Sequence, residues 1–356
     1  MSEVKTVYEE GREYIPREVR RKHRLGEYSE GEGLEKIKAV MLGHAVGDAL
    51  GVPVEFCTRE ELDENPVTTM KGFGTYPMPA GCWSDDTSMA LAALDSLAEG
   101  KIDFEEIMWN FVSWAMLDEY TPTGEMFDIG TTCRRALRRF IDMKSSALSC
   151  GLQYEHSNGN GSLMRIHPFA LYLYFMGLAD EEHIDLIHKA SALTHAHERS
   201  KVACGIYAFV LWELFQNPCR ESVKRGLLRA RNYYADYEEC ATYDKMLFSR
   251  IGNISEEEGG TGACEKIGRE GIKSTGYVVD TLEAAIWCIL TTKDYKECVL
   301  KAVNLGEDTD TVAAIAGGLA GALYGFKSIP EEWLTVLKKR DYIEKMCESA
   351  YSSWTC

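Results

Sequence analysis

No stretch of this 356-residue chain reaches the roughly 18 consecutive apolar residues that a membrane-crossing helix needs, so no membrane span is expected. Its opening, MSEVKTVYEEGREYIPREVRRKHR, is too charged for a secretory signal, and the expected location is cytoplasmic. Twelve cysteines are present without a single CxxC pair, which argues against a zinc site or a disulfide framework. Several of them, such as Cys204 in KVACGIYAFV and Cys288 in EAAIWCIL, sit inside apolar helical patterns and read as buried thiols of a reducing compartment. A net basic charge is also missing: 39 Lys and Arg face 56 Asp and Glu, a formal net charge of −17. Phosphate-backbone affinity rests on clustered Lys and Arg, so this balance argues against a broad nucleic-acid surface, whereas it is compatible with binding of divalent cations. Alternating β-type runs are almost absent, and no repeat of fixed period is visible.

What the chain has instead is helical periodicity. It runs through LEKIKAVMLGHAVGDAL, SMALAALDSLAEG, FEEIMWNFVSWAML, IGTTCRRALRRFIDM, EEHIDLIHKASALTH, KVACGIYAFVLWELF, VVDTLEAAIWCILTT, TVAAIAGGLAGALYG and EEWLTVLKK. With 45% hydrophobic residues the chain can build a large core. The expectation is an all-α domain over 33–356, preceded by a charged extension, 1–32, that is loosely packed or docks elsewhere. A charged excursion at 219–275 is expected to decorate one end of the bundle.

Two segments share a design. GCWSDDTSMALAAL places Ser84, Asp85 and Asp86 before a small-residue helix, and LGEDTDTVAAIAGG does the same with Asp308, Asp310 and Thr311. Helix capping accounts for one acid or hydroxyl at each site, since Asp, Ser and Thr are favoured N-caps. It does not account for the number: crowded like charges are unfavourable unless something cationic lies between them. Hard divalent cations take carboxylate and hydroxyl oxygens, and two such clusters meeting in space could serve two ions. A third acidic element, GHAVGDALGVPVEF, holds His44, Asp48 and Glu55, with glycines 43, 47 and 51 forming one small helix face. His44 reads as a packing histidine, whereas Glu55 lies in an apolar, proline-containing loop that a solvated Glu would rarely occupy.

Farther along, HSNGNGSLMRIHPFAL puts Asn158, Gly159, Asn160, Gly161 and Ser162 before an apolar helix, where backbone N–H groups could receive an anion; turn punctuation is the competing reading. Asp128 precedes a helix in FDIGTT and reads first as a cap. His195 and His197, in SALTHAHERSK, end one helix and begin another, without the i, i+4 spacing of a helical zinc pair.

Taken in order, GHAVGDALGVPVEF, GCWSDDTSMALAAL, FDIGTT, NGNGSLMRIHPFAL, ALTHAHERS, GYVVDTLEAAIWCIL and NLGEDTDTVAAIAGGLAGALYG resemble the motifs of the ADP-ribosylglycohydrolase family, from about Ile37 to Gly325. The resemblance implies a compact, multi-helix orthogonal bundle with a central cleft holding two Mg²⁺ or Mn²⁺ ions. It implies Ser84, Asp85, Asp86, Asp308, Asp310 and Thr311 as metal ligands, Ser84 standing where the family often has Thr. By the same carry-over Glu55 and Asp128 are the catalytic carboxylates, either of which would activate water, with Asp128 also reaching the distal ribose; Asn158 to Ser162 would cradle the diphosphate, and His195 would border the cleft. The implied substrate is an ADP-ribosylated protein or ADP-ribose, and the implied reaction is removal of ADP-ribose from a side chain, arginine first. Serine-linked or other O-linked ADP-ribose is the alternative. Two other readings stand beside it: a binuclear phosphoesterase, and an immunity protein whose extension 1–32 neutralises a toxin ADP-ribosyltransferase.

Overall fold

The computed structural model describes residues 31–235 and 267–355, together with the backbone of two short antiparallel strands, Val7–Glu9 and Arg12–Tyr14, in which Val7 faces Tyr14. The rest of the expected extension 1–32, and with it the toxin-neutralising reading, lies outside the described residues, as does 236–266 of the expected excursion. The described body is all-α, as expected.

The helix expected around Ile37 is α1, Glu32–Gly51. The helices that follow are α2 (Arg59–Glu64), α3 (Asp85–Leu97), α4 (Phe104–Leu117), α5 (Thr131–Met143), α6 (His167–Phe175) and α7 (Ile184–Ala192). Then come α8 (Glu198–Gln216), α9 (Arg220–Tyr234), α10 (Val278–Thr291), α11 (Tyr295–Val303), α12 (Thr309–Tyr324), α13 (Glu331–Val336) and α14 (Arg340–Thr355). The start of the charged excursion is thus an ordinary helix, α9, packed on α8.

The centre of the bundle is the pair α1 and α12, on which α10, α11 and α14 also pack. Their small residues decide how near they come. A Cβ at Gly43 would stand 2.6 Å from the Gly317 carbonyl oxygen, and one at Gly47 would meet the Ala313 backbone closer still, so only glycine lets the two backbones touch. This crossing carries Asp48 of α1 to the N-terminal end of α12. Around it, α3 packs with α4 and α6, and α8 with α7 and α9, over a core in which Trp83, Trp114, Trp212 and Trp333 are fully buried. An apolar window of α1 passes the length and composition test for a membrane helix, with mean hydropathy 1.3. It is 83% buried in the bundle, and its apolarity serves the core.

Candidate functional site

The first turn of α3 shows why its acids are available for chemistry. Orphan N–H groups at a helix start need acceptors. Here Asp48, arriving from α1, accepts the N–H of Ser84 at 2.9 Å, the N–H of Thr87 at 3.1 Å and the Thr87 hydroxyl at 2.6 Å. Ser84 adds a second cap: its hydroxyl oxygen accepts the Asp86 N–H and its hydroxyl donates to Asp86 Oδ2, both at 3.3 Å. The N–H groups of Ser84, Asp86 and Thr87 are thus held without the Asp85 carboxylate or Asp86 Oδ1. Ser84 is buried in this role and does not line the cleft.

At the start of α12, Glu307 has a left-handed backbone (φ 61°) and its carbonyl accepts the Phe56 N–H at 2.7 Å, which fastens the Glu55 loop beside the helix. The Thr309 hydroxyl donates to the Gly51 carbonyl at 2.9 Å and so pins α12 to the end of α1. Asp308 makes no capping bond; its Oδ2 accepts the Asn160 side-chain amide at 3.0 Å. Asp310 follows, buried and turned inward.

These elements bring the carboxylates into two trios. Oxygens of Asp48, Asp86 and Asp310 lie within 4.8 Å of one another, and so do those of Glu55, Asp128 and Asp310, so Asp310 belongs to both. Buried oxygens without a hydrogen-bond partner concentrate at this point: Glu55 Oε2, Asp86 Oδ1, Asp308 Oδ1 and Asp310 Oδ1. Buried polar atoms are normally paired. Burial first, and then repulsion from neighbouring carboxylates, pushes the Asp85, Asp86 and Asp310 carboxyls well above the usual range. Burial, followed by the charges of Asp128 and Asp308, raises Glu55 to about 8; burial raises Asp48 to about 6 against the three hydrogen bonds it accepts from Ser84 and Thr87. Asp128 is raised by burial and by Asp308, and the Tyr76 hydroxyl opposes the shift in both Asp128 and Glu55. Such an array either holds protons or holds cations, and an all-oxygen donor set with spare lone pairs suits Mg²⁺ or Mn²⁺. The residues present fit two such ions, with Asp310 common to both.

Above the carboxylates opens a cleft of about 260 Å³. Glu55, Asp85, Asp128, Asp308 and Thr311 line one part of it; Gly159, Asn160, Gly161 and His195 line another. Asp86 and Asp310 are buried and are not among the residues that line it. The 158–162 segment is not at a helix N-terminus, because α6 begins only at His167. It pairs instead with 276–278: Asn160 N–H donates to the Gly276 carbonyl and Val278 N–H to the Asn158 carbonyl, both at 3.0 Å. The Asn158 side chain accepts from the Ser200 hydroxyl and the Ser162 hydroxyl from Ser191, so both side chains face the packing and not the cleft. The N–H groups of Gly161 and Ser162 find no acceptor among the described residues. Gly161 must be glycine here, since a Cβ would stand 2.9 Å from both Cys133 Sγ and His195 Cε1.

His195 is oriented from behind. Arg165, fully buried and able only to donate, gives Nη2–H to the Thr194 hydroxyl at 2.7 Å, and that oxygen lies 2.8 Å from His195 Nδ1. A Thr194 hydroxyl donating to Nδ1 leaves the ring proton on Nε2, the nitrogen beside Gly161. Burial and the Arg165 charge hold the imidazole neutral, with its pKa down to about 3. His197 serves elsewhere: it caps α8 by accepting the Arg199 N–H. Asp128 is not a cap either, for Gly130 occupies that position of α5 and Asp128 takes a left-handed conformation (φ 56°) facing the cleft.

The sequence puts Asp48 in an acidic element without marking it for the cation site, gives no sign of Tyr76, and shows the Gly276 segment only as the start of the GYVVDTLEAAIWCIL motif, without its partner at 158–160. The signal for Asp48 was an ionisable residue inside the otherwise small and apolar face of GHAVGDALG. Tyr76 carries none, and neither does the pairing of Gly276 with the 158–162 loop, because both roles arise from tertiary contact.

The ADP-ribosylglycohydrolase family model matches residues 30–355. An ADP-ribosylarginine hydrolase, Tri1, of Serratia proteamaculans is 32% identical over 90% of this chain and 80% of its own length. The ADP-ribosyl-[dinitrogen reductase] glycohydrolase of Rhodospirillum rubrum is 30% identical over 85% of this chain and 90% of its own. A solved structure described as an ADP-ribosylglycohydrolase-related protein complex superposes with a TM-score of 0.67 at 29% identity, over 91% of this chain and 99% of that one.

Proposed function

Since the chain belongs to the ADP-ribosylglycohydrolase family and is a hydrolase, we propose that it cleaves the N-glycosidic bond between ADP-ribose and an arginine side chain, using two Mg²⁺ or Mn²⁺ ions. The observation that carries this reading is the pair of carboxylate trios sharing Asp310 at a cleft whose other wall is Gly159 to Gly161. Arginine is favoured as the acceptor because relatives at 32% and 30% identity bear the name ADP-ribosylarginine hydrolase.

Asp48, Asp86, Asp310, Glu55 and Asp128, with Asp85, Asp308 and Thr311 beside them, are the residues that would hold the ions. Divalent cations there supply positive charge and a template for the hydroxyls of a bound ribose. The remaining work belongs to the chain. The free N–H groups of Gly161 and Ser162 and the Nε2–H of His195 are donors suited to a diphosphate, which compensates locally for the repulsion an acidic protein exerts on an anionic substrate. Glu55 Oε2, buried and unpartnered, is the atom assigned to take a proton from the water that attacks the anomeric carbon. The new C–O bond forms as the C–N bond breaks, through an oxocarbenium-like state that Asp85 and Asp128 stabilise electrostatically. The departing guanidine, a strong base, accepts the proton and leaves as a cation.

The test is release of free ADP-ribose from arginine-modified and serine-modified proteins, each with Mg²⁺ and with chelator. Release from the arginine substrate alone, abolished by chelator and reduced on the order of 100-fold or more by Asp310→Asn, is the expected result. Release from the serine substrate alone moves the linkage to oxygen, and release from neither overturns the function.

A further inference from the structure

One feature of the surface is not needed for cleaving a free ADP-ribosyl group. Between α4 and α5 runs a groove of about 340 Å³, within the range of about 300–1,000 Å³ typical of ligand pockets. Its walls are apolar: Val112, Met116, Met126, Ile129, Leu137 and Ile141. Met116 is 67% exposed, and Ile141 stands at the solvent edge. Arg134 and Arg138, both exposed, line the same groove, and neither makes an ion pair among the described residues. Unpaired arginines are conspicuous on a chain with a formal net charge of −17.

The groove and the cleft share a wall. Ile129 lines the groove, while its chain neighbours Asp128 and Gly130 line the cleft. The Arg134 charge reaches through to the Asp128 carboxylate. Anything emerging from the carboxylate end of the cleft past Asp128 therefore meets an apolar channel with a cationic rim. Resting on the function proposed above, we infer that this groove docks the protein that carries the modification, through a segment near the modified side chain in which acidic and aliphatic residues are mixed. Aliphatic side chains fill the channel and carboxylates pair with Arg138 and Arg134, a combination of apolar anchor and charged rim usual in protein recognition. The same arginines offset, at short range, the field of an acidic enzyme approaching an acidic partner.

The test compares two substrates across Arg138→Glu and Met116→Asp, both at exposed positions away from the carboxylates; Arg134 is left intact because its charge also acts on Asp128. The small substrate is ADP-ribosylated free arginine, and the large one is an ADP-ribosylated protein whose modified arginine is flanked by acidic and aliphatic residues. The expected result is a KM for the protein raised on the order of tenfold in each variant, with the small substrate turned over within about twofold of wild type. Equal effects on both substrates, or on neither, overturn the docking role. Should wild type cleave neither substrate, the proposed function fails, and the groove is judged by fluorescence anisotropy with a labelled acidic, leucine-containing peptide. Binding by wild type that Arg138→Glu and high salt abolish upholds the groove, and no binding overturns it. Concentration-dependent dimers in sedimentation that Met116→Asp abolishes would assign the groove to a second copy of the chain and likewise overturn the inference.

Discussion

His188 shows what this fold does to an ionisable side chain that has no part in the cleft. It is buried, its Nε2 lies 2.7 Å from the Tyr234 hydroxyl, and burial lowers its pKa to about 4. The unfolded chain takes up that proton near pH 6.5 and the folded chain refuses it, so stability is lost as pH falls from about 6.5 toward 4, by up to about 1.4 kcal/mol per pH unit. His188→Gln, which keeps a hydrogen-bonding group, is expected to flatten the dependence; urea unfolding at several pH values measures it, and an unchanged slope refutes it. The carboxylates of the cleft differ because their shifts come from crowding as well as burial. Crowding was readable in the sequence, since two acids and a hydroxyl before each of two helices exceed what capping requires. Which acids were released from capping was not readable. Asp48 takes over the first turn of α3 from 36 positions away, and a long-range acceptor leaves no local trace.

At the scale of elements, the α1–α12 crossing positions Asp48 against Asp310, and it depends on backbone contact. Gly47→Ala is expected to destabilise the protein by about 1–3 kcal/mol, the usual result of overpacking a dense interface. It should also weaken Mg²⁺ binding by moving the two acids apart; chemical denaturation and calorimetric titration read the two effects separately, and a variant as stable as wild type would show that the helices can yield. The core helices were legible because they bury long apolar stripes at helical spacing. α9 and α14 were not, since half their surface is charged and their periodicity is diluted. The glycine loop at 158–162 is legible in the sequence, but the helix N-terminus expected to support it is replaced by pairing with 276–278, a partner more than a hundred positions away that no local pattern announces.

For the whole molecule, the cluster leaves the cation-free protein with a liability. The pKa of Glu55 is raised from 4.5 to about 8 in the fold, so the cation-free protein loses stability as pH rises across that interval. Cations that bind only the folded state reverse this; at a hundredfold excess over Kd the gain is about 2.7 kcal/mol. Mg²⁺ or Mn²⁺ is therefore expected to raise the Tm relative to chelator, more at pH 8 than at pH 6, and much less in Asp310→Asn. Scanning calorimetry tests this, and equal gains in wild type and variant would place the ions elsewhere. The central helix pair has a further consequence, for biosynthesis. Gly51 and Thr309, which fasten α1 to α12, are 258 positions apart. At about 5–20 residues per second, α1 leaves the ribosome roughly 13–50 s before α12 exists to cover its glycine face. During that interval the nascent chain displays a helix as apolar as a membrane span, without the segment that covers it in the finished fold.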